Sequence, residues 1–177
     1  MTAPLDVGRG RAAGALLILL GAWGALVPFI GPYFGYAYTP DKAWAYTSGR
    51  LVLSVVPGAA AFLGGLMVVG SARVAAAGGF LACLAGAWFV IGAPVMDLAG
   101  RGSSISPGSP LNGSGTTIGS AAMRFLEHLG FFYGLGIVIV FFGALAIGRS
   151  AVTWAAGDRD ARADSFIGSE REYGRVY

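Results

Sequence analysis

The sequence predicts an all-α integral membrane protein, a four-transmembrane-helix bundle arranged as a tandem duplication of one helical hairpin. Composition and hydropathy predict the class. Of the 177 residues 55% are hydrophobic and 12% charged, and the charges leave long stretches of chain untouched. Crossing a hydrocarbon core of about 30 Å takes roughly 20 helical residues at ~1.5 Å each, and windows at about 12–31, 50–70, 74–96 and 125–148 supply them. A water-soluble chain this short has no interior large enough for four helices that are apolar on every face. A repeated phrase predicts the organisation. GALLILLGAWGALVPFIGP (14–32) and GGFLACLAGAWFVIGAPV (78–95) share Gly-Ala-Trp and then reach a proline, Pro28 or Pro94.

The first span opens behind Arg9 and Arg11, Arg73 stands in the turn between the second and third, and Arg149 closes the fourth ahead of an Arg-bearing tail. Lys42, Arg50, Arg101 and Arg124 fall on the other side. Basic residues in short flanks favour the cytoplasm, so both termini are expected there, in a bacterial inner (plasma) membrane. Gly, Ala and Arg abound and Lys is nearly absent, a composition that suits a high-GC bacterium such as an actinomycete. Arg9 and Arg11 before an apolar run also resemble a secretory signal, but no convincing small-residue cleavage site follows, and the first span is expected to be retained. The expected domains are the transmembrane bundle, 1–149, and a cytoplasmic tail, 150–177.

The second and fourth spans echo each other as well. AFLGGLMVVGSAR (61–73) and VFFGALAIGRSAV (140–152) share Phe-x-Gly-(Gly/Ala)-Leu, a small apolar run, then Gly and Arg at the expected cytoplasmic edge. Spans one and two thus match spans three and four in order and direction, the pattern of a parallel repeat about an axis along the membrane normal. Gly-x-Trp followed by a proline at the outer end of each unit resembles the SPW-repeat membrane proteins, in which Ser-Pro-Trp recurs once per two-helix unit. Here the positions read Val27-Pro28-Phe29 and Ala93-Pro94-Val95, without the serine or the tryptophan. The resemblance covers the four spans but not the tail, and it implies a small multispan protein without an assigned reaction.

Pro28 and Pro94 sit where a lost backbone donor costs little, near the outer helix ends, whereas Pro57, early in the second span, predicts a kink or a loosened first turn. Ala60 and Gly64, Ala82 and Gly86, and Gly130 and Gly134 are each four apart and share a helix face. Lipid provides no hydrophobic drive between helices, so flat faces of this kind allow close approach, to one another or to a further protein. Cys83 is the only cysteine, which excludes an internal disulfide, and it reads as a small packing residue.

The first outer loop, 32–50, carries Tyr33, Tyr36, Tyr38, Trp44 and Tyr46. Such rings form an interfacial belt at headgroup depth, and their density also suits a surface that meets a partner or lipid. The second outer region, 101–120, is rich in Gly, Ser and Pro and is expected to be flexible; its Asn112-Gly113-Ser114 sequon reads as chance. Beyond Trp154, at the expected inner interface, Asp158 and Arg162 are spaced to favour continued helix. Phe166, Tyr173 and Tyr177 punctuate a tail expected either to be disordered or to order on a cytoplasmic partner.

None of the four windows has an ionisable residue in its middle, where a transporter would need one. The nearest are Arg50, Asp97, Arg124, Glu127 and His128, all at expected outer ends. The last three share a face by their spacing, as an outer-rim ion-pair network or as an entry site. One histidine beside one glutamate is too little for a metal site, and no phosphate loop, nucleophile elbow or pair of acids appears. The net charge of +3 comes from scattered arginines rather than a nucleic-acid-binding patch. Neither cofactor, metal nor nucleic acid is therefore expected, and no catalysis. The expectation is a non-catalytic accessory or regulatory subunit of a larger membrane complex, a lipid-import transporter or a respiratory assembly, in contact with other integral membrane subunits and lipids. A small oligomeric transporter or channel with the outer-rim charges as its entry is the second reading, and an envelope bundle of independent role the third.

Overall fold

A computed structural model describes residues 5–34, 43–99 and 129–173. Helix α1 is Leu5–Ile30, followed by a 3₁₀ turn, Gly31–Phe34. Helix α2, Ser48–Gly70, opens as one α-turn, widens into a π turn over Leu51–Val55 and continues as Val56–Gly70. Ser71 alone, extended at φ −151° and ψ 147°, separates it from α3, Ala72–Leu98. A second π turn, Leu129–Tyr133, leads into α4, Gly134–Tyr173. All regular structure among the described residues is helical, and four helices are long and apolar enough to cross a membrane, over Arg11–Tyr33, Ser48–Gly70, Val74–Met96 and Gly134–Val152. Each helix packs on the next in chain order, and α4 returns to α1 to close a ring whose loosest seam is α1–α4.

Large apolar side chains stand on both sides, with Leu17, Leu53, Phe89, Phe132, Leu135 and Ile139 forming the central cluster. Leu19, Leu26, Leu63, Phe80, Leu84, Ile137 and Phe141 face outward, while glycine and alanine fill much of the space between helices. So much exposed hydrocarbon would associate in water; in lipid it carries no penalty, and helices are held instead by close contact of complementary surfaces.

Glycines two helical turns apart set that contact. Gly14 and Gly21 of α1 meet Gly65 and Gly58 of α2, and Gly79 and Gly86 of α3 meet Gly143 and Gly136 of α4. A Cβ added to Gly14 would lie 3.0 Å from the Gly65 carbonyl oxygen, one on Gly79 2.7 Å from that of Gly143, and one on Gly136 2.5 Å from that of Gly86. These backbones therefore touch with no room for a methyl group, at the range where Cα–H groups face carbonyl oxygens across helices. A shift of 65 positions carries Gly14 and Gly21 onto Gly79 and Gly86, and a shift of 78 carries Gly58 and Gly65 onto Gly136 and Gly143. The same two shifts carry Trp23 onto Trp88 and Leu51–Val55 onto Leu129–Tyr133.

The helix does not change at residue 150: α4 continues unbroken to Tyr173, adding about 30 Å of helix beyond Val152 at ~1.5 Å per residue. Pro28 and Pro94 lie in the closing turns of α1 and α3, near the helix ends as expected. Each lacks the N–H that would return to the carbonyl four residues back, and so costs its helix one bond.

Glycine-to-alanine substitution separates contact from composition. In Gly58→Ala the new Cβ falls 2.5 Å from the Ala25 nitrogen, a backbone atom that cannot step aside, so the variant loses about 1–3 kcal/mol by overpacking. Gly148→Ala, with nothing within 4 Å of its Cβ, is neutral or gains up to ~1 kcal/mol of helix propensity. Unfolding midpoints in detergent check the difference; equal effects at the two sites would remove the glycine contacts as the organising constraint.

Candidate functional site

The end of the bundle opposite the Ser71 turn brings together both π turns, both tryptophans of the repeated Gly-Ala-Trp, and Arg50. A π turn widens the hydrogen-bond ring and misaligns carbonyls. In α2 the Val56 N–H donates to the Leu51 carbonyl, five residues back. The next carbonyl, Val52, would need the N–H of residue 57 in that register, and residue 57 is proline. The Trp88 indole Nε1–H, reaching from α3, donates to the Val52 oxygen at 2.9 Å. The shifted counterpart is also formed: Trp23 Nε1–H of α1 donates to the Gly130 oxygen, in the π turn ahead of α4, at 3.4 Å. Each tryptophan thus supports the π turn of the other helix pair. At the position matching Pro57 stands Leu135, which keeps its N–H, and the bond made by Trp23 is the longer of the two.

Arg50 lies at the mouth of the first π turn, and it is only 2% exposed. The residue expected at an open rim is instead enclosed. Its Nη1 donates to the Ala45 carbonyl at 3.0 Å, and its backbone N–H donates to the Thr47 hydroxyl at 3.3 Å, which caps the helix start. Trp44 and Tyr46, in the same approach segment, fold onto Phe29 of α1 with ring centroids 5.8 and 5.1 Å away. Trp44 adopts a left-handed backbone, φ 58°, at a cost of about 1–2 kcal/mol for a residue with a Cβ. The ring contact and the Arg50–Ala45 bond hold the segment in that shape. Trp44, Tyr46 and Tyr33 still present more than half their surface outward, which suits rings that meet headgroups or a partner.

Between α2 and α3 an apolar groove of about 260 Å³ opens sideways, lined by Val52, Val56, Pro57, Ala60, Leu84 and Trp88 among others. It can take hydrocarbon and little else.

The residues singled out in the sequence separate into groups. Gly64 and Ala82 meet across α2–α3, where a Cβ on Gly64 would lie 3.2 Å from that of Ala82 and 2.6 Å from the Gly78 oxygen. Gly86 packs on Gly136 and Val140 of α4, and Ala60 lines the groove. Gly130 and Gly134 serve the second π turn: Gly130 offers its carbonyl to Trp23, and Gly134 is crowded by Leu129 of its own turn. Tyr36, Tyr38, Arg124, Glu127, His128 and Tyr177 lie outside the described residues, as do the side chains of Asp97, Phe166 and Tyr173. Among the described residues no three His, Cys, Asp or Glu side chains come together as a metal site. The indole bonds to the π turns were not anticipated, although Gly-Ala-Trp, written twice, marked the donors. Comparison with family models, with curated proteins and with solved structures finds no match.

If Trp88 supplies the donor that Pro57 lacks, Trp88→Phe lowers stability by about 1–3 kcal/mol, the range for a buried carbonyl left without a partner. Trp23→Phe costs less, and Pro57→Ala restores part of the loss in the Trp88→Phe background, since residue 57 then has an N–H to offer. A thermodynamic cycle of unfolding midpoints shows the coupling; additive effects would refute it. At the same end, Arg50→Lys keeps the charge but not the planar fork of donors. It is expected to lose about 1–3 kcal/mol and to expose the Trp44 ring, seen as a red-shifted emission in a variant with Trp44 as its sole tryptophan.

Proposed function

We propose that the chain is a duplicated two-helix hairpin of the SPW-repeat kind, standing in a bacterial inner membrane with both termini cytoplasmic. In this reading it serves as a non-catalytic accessory subunit of a larger membrane complex. The observation that carries the reading is the use of the interior. Backbones close on one another at Gly14·Gly65, Gly21·Gly58, Gly79·Gly143 and Gly86·Gly136, so the space where a reaction chamber or a wet path would lie is occupied by packing. The surfaces left for work are the apolar exterior, the ring-bearing segment around Trp44, and the length of α4 that continues past Val152. Those are surfaces of contact, suited to other integral membrane subunits and to lipids. The duplication is supported by the two constant shifts, of 65 and 78 positions, that relate glycine contacts, π turns and tryptophans.

A second reading draws on Arg50. A cation enclosed at one end of the bundle, beside a π turn, is the kind of helix irregularity that often accompanies function. It supports a small oligomeric transporter or channel with an entry at that end.

Purification from native membrane in mild detergent, followed by mass spectrometry, distinguishes the two. Heterologous membrane subunits in fixed stoichiometry are the expected outcome. A pure homo-oligomer that supports flux in liposomes, with flux abolished in Glu127→Gln, would replace the accessory role with transport.

A further inference from the structure

The four helices close a ring, but the two seams between the helix pairs are not alike. At the α2–α3 seam the apolar groove lies beside Trp88, and on the Ser71 side of it Gly64 meets Gly78 and Ala82 with no space for a further methyl group. The shifts of 65 and 78 place Phe142, Ala13 and Leu17 at the matching positions of the α1–α4 seam, where bulk replaces backbone contact and the two helices approach less closely. Polar contacts follow the same division. The indole bond across α2–α3 is 2.9 Å long and supplies a carbonyl that Pro57 cannot, whereas that across α1–α4 is 3.4 Å and its tryptophan is 40% exposed. The chain adds a third difference: a single extended residue, Ser71, ties α2 to α3, whereas α1 and α4 are not consecutive in the chain. Within each pair, by contrast, the contacts are of one kind, two glycine crossings per pair.

We infer that the molecule moves as two rigid hairpins, α1–α2 and α3–α4, hinged at the α2–α3 seam and able to part along the α1–α4 seam. Close-packed interfaces resist continuous deformation, so motion concentrates where one seam is loosely held and the opposite seam supplies the hinge. The weak Trp23–Gly130 bond is the latch of the moving side, and the Trp88–Val52 bond belongs to the fixed side. This goes beyond the accessory role and does not depend on it, since the seam is a property of the chain alone.

Matched spin-label pairs measure it in lipid nanodiscs, in a Cys83→Ser background. Leu19→Cys with Ile137→Cys reports on α1–α4. Leu84→Cys with Ala59→Cys, related to it by the shifts of 65 and 78, reports on α2–α3, and all four positions are exposed. The expected result is a broad or two-peaked distance distribution for the first pair and a single narrow one for the second. Copying the tight seam into the loose one, with Leu17→Ala and Phe142→Gly, is expected to narrow the first distribution. Equal widths, or a broader α2–α3 pair, overturn the hinge, and that comparison stands even if the seam-copying variant does not assemble.

Discussion

Between helices in a bilayer the solvent is as apolar as the side chains, so hiding leucine gains nothing and the closeness of approach decides which helices stay together. In this chain that closeness is set by glycines seven residues apart, one pair on each of the four helices, meeting carbonyl against Cα across antiparallel partners. Seven residues are two helical turns, which returns each pair to one face. The rest of the arrangement follows. Bulk is kept off the glycine crossings, where it would separate the backbones whose contact holds the bundle; it goes outward, as Leu19, Phe80, Leu84 and Phe141 do, or into the centre between crossings, as Phe89 and Phe132 do.

The centre shows what happens where a strict repeat is impossible. Gly24 and Phe89 occupy matching positions, and they meet: a Cβ on Gly24 would lie 2.6 Å from the Phe89 Cζ. Two phenylalanines would collide there and two glycines would leave a void, each costly in a close-packed interior. One of each fills the space. The same division places Phe132, whose ring lies 6.4 Å from that of Phe89, opposite Ser54 in the other pair, and both are buried. The α3–α4 pair thus carries the central rings and the α1–α2 pair yields to them, while both pairs have glycines at the same register.

The helices and their apolar windows were legible because hydropathy over twenty residues is a strong signal that needs no tertiary knowledge. The contacts were legible in part. Spacing of four marks Gly64, Ala82 and Gly86, and also Gly130 and Gly134, which belong to one π turn where the Gly130 carbonyl accepts the indole bond from α1. It passes over Gly14, Gly58, Gly65, Gly79, Gly136 and Gly143, whose spacing of seven is equally consistent with one face. The sequence echo between the second and fourth spans also misleads by one position. Letters align Phe62 with Phe141, whereas the contacts align Gly58 with Gly136 and Gly65 with Gly143. Identity of large, outward residues carries little register information; identity at the points of backbone contact carries most of it. Arg50 was read as a rim charge because its burial depends on the segment from Ala45 to Thr47 folding back over it, a long-range fact that hydropathy does not encode.

The polar side of the structure completes the account. Pro57 removes a donor in the middle of an apolar helix, a defect that lipid cannot repair. The π turn moves the unsupplied carbonyl to Val52, and the answer to it comes from the other helix pair, as the Trp88 indole. A local fault in one hairpin therefore becomes a bond between hairpins. The π turn ahead of α4 has the same geometry without the need, since Leu135 has its own N–H, and there the indole bond is longer and its seam looser. Proline at one π turn and leucine at the other thus act in the same direction as Gly64 and Phe142 at the two seams, so two helix pairs with the same internal glycine contacts acquire a fixed side and a free side.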